Sequence, residues 1–242
     1  MSDTPGNQPI NLEDVKLKLY ERLKPSGWAD KLKAFMLSDD FGNILQELYK
    51  QSQAGQRFTP QIKQLLRAFE ACPYDKLKVV MLGQDPYPQP GTCDGLAFSC
   101  SNLKYVQPSL KFIFQELEDT VYKGQSYSRD PDLTRWADQG VLLINTALTT
   151  TVGQVGQHYL LWRPFIAFLF DMLNWYNPGI VYVYLGKKAQ EWSDAVSDNN
   201  HKIMVSHPAA AAHTRAERWD SKNLFGEINR ILEGTGSTKV IW

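Results

Sequence analysis

The sequence predicts an α/β fold: a single domain with a central four-stranded parallel sheet and helices on both of its faces. Four short segments rich in apolar residues are predicted to be strands, namely "LKVVML", "GVLLINTAL", "GIVYVYLG" and "HKIMVSHP". Segments with helical periodicity separate them, and this alternation is typical of parallel sheets. A chain of 242 residues, 43% of them hydrophobic, is also long enough to bury one sizeable core.

Three helices are predicted before the first strand. The first follows a cap at Asn11, the second follows Ser38 and Asp39, and the third opens at Pro60. Their apolar faces comprise Leu12, Val15, Leu19 and Leu23; then Phe41, Ile44, Leu45 and Leu48; then Ile62, Leu65, Leu66 and Phe69. The first strand follows and ends at Gly83.

Helices are predicted between the later strands as well. Pro108 opens the helix before the second strand, and Pro164 opens the helix before the third. A short helix around Trp192 precedes the fourth strand, and a last helix ends at Gly234. Helix and strand therefore alternate to the end of the chain.

Composition and the chain ends indicate the class of protein. The 26 basic side chains balance the 26 acidic ones, so net charge predicts no partner. Cys72, Cys93 and Cys100 cannot all pair, which favours a reducing, cytoplasmic location. Residues 1–10 carry no secretory signal and are expected to form a flexible tail. No apolar segment reaches the ~18 residues that a membrane span needs.

Uncommon polar residues follow three of the predicted strands. Asp85 lies in "GQDPYP" after the first strand, Asn145 ends the second, and His207 follows the fourth. Parallel sheets bind ligands at the carboxyl ends of their strands, so we expect these residues to converge on one crevice. Each alone is more often a turn or structural residue, but an amide, a carboxylate and an imidazole together favour a site.

These side chains also limit the chemistry. An asparagine amide can read the edge of an amide-like ring, and a neutral histidine can donate to a developing oxyanion. A carboxylate can face a positive centre or orient water. The sequence has no GxSxG elbow or GxxxxGK[ST] loop, and "GQVGQH" is a poor dinucleotide fingerprint. Serine-hydrolase, phosphoryl-transfer and hydride-transfer functions are therefore not predicted.

Several motifs resemble family-one uracil-DNA glycosylases. They are "GQDPYP", "GLAFS" (95–99), "PSL" (108–110), "GVLLINTALT" (140–149) and "HP" (207–208), and their order agrees over essentially the whole chain. The resemblance implies a monofunctional enzyme that flips uracil out of DNA, hydrolyses its N-glycosidic bond and starts base excision repair, without a cofactor or metal. Flipping is needed because the duplex hides the target atom.

The resemblance also implies a catalytic pair. Asp85 would position water and stabilise the sugar cation, and His207 would bond uracil O2 as negative charge collects there. Departure of the base leaves opposite charges, so a fixed carboxylate and a donor are the groups that the reaction needs. Pro86, Pro88 and Pro90 are expected to stiffen the loop that carries Asp85.

Base recognition is implied for four residues. Gln84 would contact the base through its backbone, and Tyr87 would exclude the 5-methyl group of thymine. Phe98 would stack on the ring, and Asn145 would read the Watson–Crick edge and exclude cytosine.

The chain departs from the family pattern where DNA is handled. Pro88 stands where the family usually has histidine, and the loop that normally carries serines and a leucine wedge reads "HPAAAA" (207–212). We therefore expect a preference for single-stranded or U·G substrates, unless Arg215 supplies a substitute wedge. The expected DNA-binding residues are Pro88, Pro108, Ser109, Pro208, Ala209, Ala211, His213 and Arg215.

Alternatives from other classes remain open at this point. The chain could be a DNA-binding or polymerase-accessory module that kept the fold and lost efficient catalysis. A metal-dependent hydrolase using His201, His207 and His213 lacks the usual ligand spacing, and an iron–sulfur glycosylase would need a fourth cysteine. The expected partners are uracil-containing single- or double-stranded DNA and a glycosylase-inhibitor protein, with the enzyme as a monomer.

Overall fold

A four-stranded parallel sheet forms the centre of the molecule, as predicted. The computed structural model describes residues 11–100, 106–214 and 216–242, so the predicted tail at 1–10 lies outside the described residues. The strands of the sheet are β2 (Val79–Gly83), β3 (Val141–Asn145), β5 (Val181–Leu185) and β6 (His201–Val205), and their order is β3-β2-β5-β6. A separate antiparallel pair joins β1 (Phe58–Thr59) to β4 (Thr150–Thr151).

Helices cover both faces of this sheet. They are α1 (Leu12–Arg22), α2 (Ala29–Met36), α3 (Asp39–Gln53), α4 (Arg67–Ala71), α5 (Pro108–Leu117), α6 (Thr134–Ala137), α7 (Tyr159–Tyr176), α8 (Lys187–Gln190), α9 (Pro208–Thr214) and α10 (Leu224–Gly234). Helices α2 and α3 pack on α7, α10 packs on β5 and β6, and α5 packs on α9. No described helix combines the length and apolarity that crossing a bilayer requires.

The two predicted amino-terminal caps are confirmed. The Asn11 side chain accepts a hydrogen bond from the Glu13 N–H, and the Ser38 hydroxyl accepts one from the Phe41 N–H. Each satisfies a backbone donor that the first helical turn leaves without an intrahelical partner.

Three predicted helices differ in extent from the structure. Instead of one helix from Pro60, a 3₁₀ turn at Ile62–Gln64 and helix α4 are separated by Leu66, whose φ of −109° and ψ of 16° are not helical. Helix α7 begins at Tyr159, five residues before Pro164. The backbone N–H of the buried Trp162 already donates to the His158 carbonyl, as in a helix. Trp192 lies between α8 and a 3₁₀ turn rather than inside a helix.

The register of the sheet aligns the ends of its strands. Gly83 at the end of β2 pairs with Asn145 at the end of β3, and Leu185 of β5 pairs with Val205 of β6. All four carboxyl ends therefore lie at one edge, where the candidate residues follow.

Candidate active site

The loop after β2 is fixed to the segment after β3. The Thr146 hydroxyl donates to the Gln84 carbonyl at 2.6 Å, and the Thr146 N–H donates to the Gly83 carbonyl at 3.1 Å. The Ala147 N–H also reaches the Gln84 carbonyl, at 3.3 Å. Because three bonds hold this turn, the position of the following carboxylate does not depend on prolines alone.

The carboxylate of Asp85 is half-buried and accepts a separate donor on each oxygen. The Gly156 N–H donates to Oδ2 at 2.7 Å, and the Tyr159 hydroxyl lies 3.4 Å from Oδ1. Burial raises the pKa of Asp85, while bonds from Gly156, the Gln84 side chain and Tyr159 oppose that rise. The site thus holds a partly desolvated carboxylate with fixed hydrogen-bond donors.

Donors from the segment after β4 were missed by the sequence reasoning. The Gly153 N–H bonds the Pro88 carbonyl at 2.9 Å, and Gly156 bonds Asp85. Both glycines have positive φ, of 82° and 77°. The available signal was the glycine pair in "VGQVGQ", whose closely spaced glycines predict tight turns even though they are not a nucleotide fingerprint.

Tyr87 and Phe98 line the site and are joined by a hydrogen bond. The Tyr87 hydroxyl donates to the Phe98 carbonyl at 2.9 Å and lies 3.0 Å from the Ser109 hydroxyl. Burial raises the pKa of Tyr87, so this hydroxyl stays protonated at neutral pH. Phe98 has a φ of 66°, a left-handed conformation that costs roughly 1–2 kcal/mol and that the surrounding bonds must hold.

A buried ion pair supports the Phe98 segment. The Asp94 carboxylate is only 2% exposed and lies 2.6 Å from the Arg67 guanidinium. It also accepts from the Leu96 N–H and the Ser99 hydroxyl, which flank Phe98 along the chain. Asp94 is therefore fully engaged, whereas Asp85 faces the cavity.

The amide of Asn145 lies close to the backbone of the neighbouring strand. A Cβ built on Gly83 would lie 2.4 Å from Asn145 Oδ1 and 3.1 Å from the Phe98 ring, so glycine leaves the space that both side chains occupy. Within the described residues, no protein group is hydrogen-bonded to the Asn145 side chain. Its donor and acceptor are thus available to a ligand.

His207 is oriented by the first turn of α9. The Ala209 N–H donates to Nδ1 at 3.1 Å, and the Ala210 N–H donates to the His207 carbonyl at 2.9 Å. An accepting Nδ1 assigns the proton of the neutral ring to Nε2. The imidazole ring lies 5.7 Å from the Phe98 ring, centre to centre.

These side chains line one cavity of about 490 Å³. Of the residues predicted for catalysis and base recognition, it contains all six, namely Gln84, Asp85, Tyr87, Phe98, Asn145 and His207. A larger apolar groove of about 720 Å³ lies beside α1 and α3 but contains none of them. The smaller cavity is therefore the candidate active site, because it is where titratable groups and an unengaged amide converge.

The residues predicted to bind DNA are placed differently from one another. Pro88, Pro108, Ser109 and Ala209 line the cavity. Pro208 is buried, and Ala211 is buried at 7% exposure, because α9 packs against α5. The side chains of Pro208 and Ala211 are therefore covered by protein here, and DNA contact at these two positions stays a prediction. Arg215 and the His213 side chain lie outside the described residues.

Helix α9 itself has a local cause. Pro208 occupies its first position, and alanine has the highest helix propensity of all residues. The exposed member of the alanine run that also lines the cavity is Ala210. Ala210, rather than Ala211, is the position from which a side chain would extend into the site.

The histidine metal site is not supported by the geometry. His201 opens β6 and His207 lies beyond its end, which separates them by roughly 20 Å at the ~3.3 Å rise per residue of a strand. The two cannot bind one ion. Across residues 11–100, 106–214 and 216–242, no group of three His, Cys, Asp or Glu side chains is arranged to hold a metal.

Comparisons with known proteins agree on one family. A family model described as the uracil DNA glycosylase superfamily matches residues 69–233. The chain is 35% identical over 232 residues to the uracil-DNA glycosylase of Acinetobacter baumannii strain SDF, covering 95% of this chain and 97% of that protein. It is 32% identical over 222 residues to the Streptococcus suis strain 05ZYH33 enzyme, covering 91% and 99%.

Solved structures are similar over the same extent. The crystal structure of mimivirus uracil-DNA glycosylase matches with a TM-score of 0.82 at 26% identity, covering 99% of this chain and 96% of that one. A variant of mimivirus UNG in complex with UGI matches with a TM-score of 0.81 at 26% identity, covering 95% and 92%.

Proposed function

We propose that the cavity beside Asp85 receives a uracil flipped out of DNA, in a chain that belongs to the uracil DNA glycosylase superfamily. The protein is a uracil-DNA glycosylase, which hydrolyses the bond between uracil and deoxyribose and so starts base excision repair. This function is favoured over an accessory DNA-binding module because relatives across nearly the whole chain are named as the enzyme. The observation that supports the assignment of the site is the convergence of Asp85, Asn145 and His207 on one cavity.

In the proposed reaction the two charged products are stabilised separately. The bond between C1′ and N1 breaks, and its electron pair passes to the uracil. Water then adds to C1′ and loses a proton, and protonation of the departed base gives uracil and an abasic site. Asp85 stabilises the sugar cation and orients the water, and because its donors are already in place it needs no rearrangement as charge develops.

His207 is proposed to stabilise the departing base. Because its Nδ1 accepts from the Ala209 N–H, the neutral ring carries its proton on Nε2 and can donate to uracil O2. A donor fixed before reaction is worth more than one recruited from water.

Base recognition is proposed for four other residues that line the cavity. The Asn145 amide would accept from uracil N3–H and donate to O4, a pattern that cytosine reverses. Phe98 would stack on the base, Tyr87 would occupy the space of a thymine methyl group, and the Gln84 backbone would contact the base edge.

The decisive experiment measures uracil release from an oligonucleotide with one uracil, followed by alkaline cleavage of abasic sites. We expect Asp85→Asn and His207→Ala each to reduce the single-turnover rate by about 10²–10³-fold, as loss of one preorganised group does. Asp194→Asn and His201→Ala, outside the cavity, are the matched controls. Wild-type rates in both cavity variants would refute the assignment.

The preference for single-stranded or U·G substrates remains a proposal. No side chain longer than alanine extends from positions 209–211 of α9, so nothing there fills a vacated base stack. Opening a U·A duplex costs a few kcal/mol that a wedge would offset, and single strands avoid this cost. We expect Ala210→Leu to raise the rate on U·A duplex relative to single strands, with buried Ala211→Leu as the comparison. Equal wild-type rates on all three substrates would contradict the proposal.

We propose one domain over residues 1–242, acting as a monomer in the cytoplasm, where DNA is its substrate. The mimivirus complex with UGI supports an inhibitor protein as a further partner.

A further inference from the structure

Tyr159 is the first residue of α7 and reaches the proposed catalytic carboxylate. Its hydroxyl lies 3.4 Å from Asp85 Oδ1, while the Gly156 N–H holds Oδ2 at 2.7 Å. The Gln84 side chain lowers the pKa of both Asp85 and Tyr159, so the three groups form one cluster. None of the motifs in the sequence pointed to this tyrosine.

The glycine at 156 is what allows both contacts. A Cβ at that position would lie 2.9 Å from Tyr159 Cε2, and Gly156 has a φ of 77°. Any other residue would push the ring away from the backbone and strain the turn. Gly156 and Tyr159 therefore act as a pair of donors, one for each oxygen of the same carboxylate.

We propose that Tyr159 is a positioning residue for uracil excision: its hydroxyl fixes the plane of the Asp85 carboxylate and favours the ionised form that faces the sugar and the water. This proposal rests on the proposed function of the site. Donors on both oxygens restrict rotation about the Cβ–Cγ bond of Asp85 and leave lone pairs for the attacking water.

Pro88 makes this contribution more important in this chain. The resemblance to the family predicts an imidazole at that position, but proline offers no side-chain donor, and its carbonyl is bonded to Gly153. Tyr159 places a hydroxyl beside the Asp85 carboxylate from a different element, helix α7.

The groups that face Tyr159 keep its hydroxyl protonated. Burial raises the pKa of Tyr159, and the charge of Asp85 raises it further. The Lys188 ammonium lies 5.8 Å from the centre of the ring and is paired with Glu191 at 2.8 Å. His207 also lines the cavity, on the side of α9.

The test compares Tyr159→Phe, which keeps the ring, with Tyr74→Phe. The control removes a hydroxyl that bonds Asn177 outside the cavity. We expect Tyr159→Phe to reduce the single-turnover rate by about tenfold, as loss of a hydrogen bond to a charged group does. We also expect it to move the acidic limb of the pH–rate profile to higher pH, because Asp85 loses a bond that lowers its pKa.

Two further measurements separate positioning from other roles. In an Asp85→Asn background, Tyr159→Phe should change the rate little, because its effect passes through Asp85. Titration of the Asp85 carboxyl by NMR in the free protein, with and without Tyr159→Phe, reports the contact even if the proposed function fails. An unchanged Asp85 titration, or a rate and acidic limb equal to those of Tyr74→Phe, would overturn the proposal.

Discussion

Gly83→Ala should disable the site while leaving most of the fold in place. Gly83 ends β2 directly opposite Asn145, and a Cβ there would lie 2.4 Å from Asn145 Oδ1. The same Cβ would lie 3.1 Å from Phe98 Cζ, so the clash with the Asn145 amide cannot be relieved by moving the new methyl group toward the Phe98 ring.

The size of the effect follows from these distances. Real Cβ contacts essentially never fall below 3.0 Å, so the Asn145 oxygen must move by at least about 0.6 Å. A misplacement near 1 Å costs roughly 10²-fold in rate, so we expect a loss of about 10- to 100-fold. Overpacking also costs about 1–3 kcal/mol of unfolding free energy.

Single-turnover release from single-stranded DNA is the appropriate assay, because it removes duplex opening from the rate. Gly234→Ala is the control, since a methyl group added there, at the end of α10, would meet no neighbouring atom within 4 Å. Urea unfolding of Gly83→Ala and of Gly83→Ala/Asn145→Ala measures the clash directly. Truncating Asn145 should recover part of the lost stability.

Two results would refute this reasoning. A Gly83→Ala enzyme with the wild-type rate and wild-type discrimination against cytosine would show that the observed position of the Asn145 amide is not required. Strictly additive losses of stability in the double variant would show that the methyl group and the amide do not compete for space.

Other predictions concern the same groups. Burial raises the pKa of Asp85 above 3.8, so its stabilising contribution is present below that pH and lost as pH rises through the folded value. Asp85→Asn should therefore unfold in urea at neutral pH no more easily than the wild type, and a clear loss would contradict this. Burial lowers the pKa of His158 below 6.5, so unfolding free energy should fall as pH drops below 6.5, with a smaller slope in His158→Gln. An unchanged slope would assign the effect to other groups. Asn145→Asp should admit some cytosine and Tyr87→Ala should admit thymine; competition between substrates measures both, and unchanged preferences would place base recognition elsewhere.

Local patterns predicted the elements that depend on few neighbours. The caps at Asn11 and Ser38 are set by residues two or three positions away, and the sequence identified both. The strand ends are equally local, which is why Asp85, Asn145 and His207 could be assigned to one edge from the sequence. The chemical types of these three side chains then limited the reactions that the site could catalyse.

Elements that depend on tertiary packing were predicted less well. Helix α7 begins before Pro164 because Trp162 is buried and its indole N–H bonds the Thr149 hydroxyl. Ala211 was expected to face DNA, but packing of α9 on α5 buries it. The period of a helix gives the spacing of a face, but the neighbouring helices decide which face is covered.

The sequence alone determined the sheet, the chemical groups at its carboxyl edge and the family to which their order belongs. How those groups are held depends on the packing of distant segments: Gly156 and Tyr159 reach Asp85 from 71 and 74 residues further along the chain. Apolar periodicity and strand-end residues are encoded within a few positions, whereas these donors meet the carboxylate only after the order of the strands brings distant segments to one edge. Hydrogen bonds that act over about 3 Å cannot be inferred until that order is fixed.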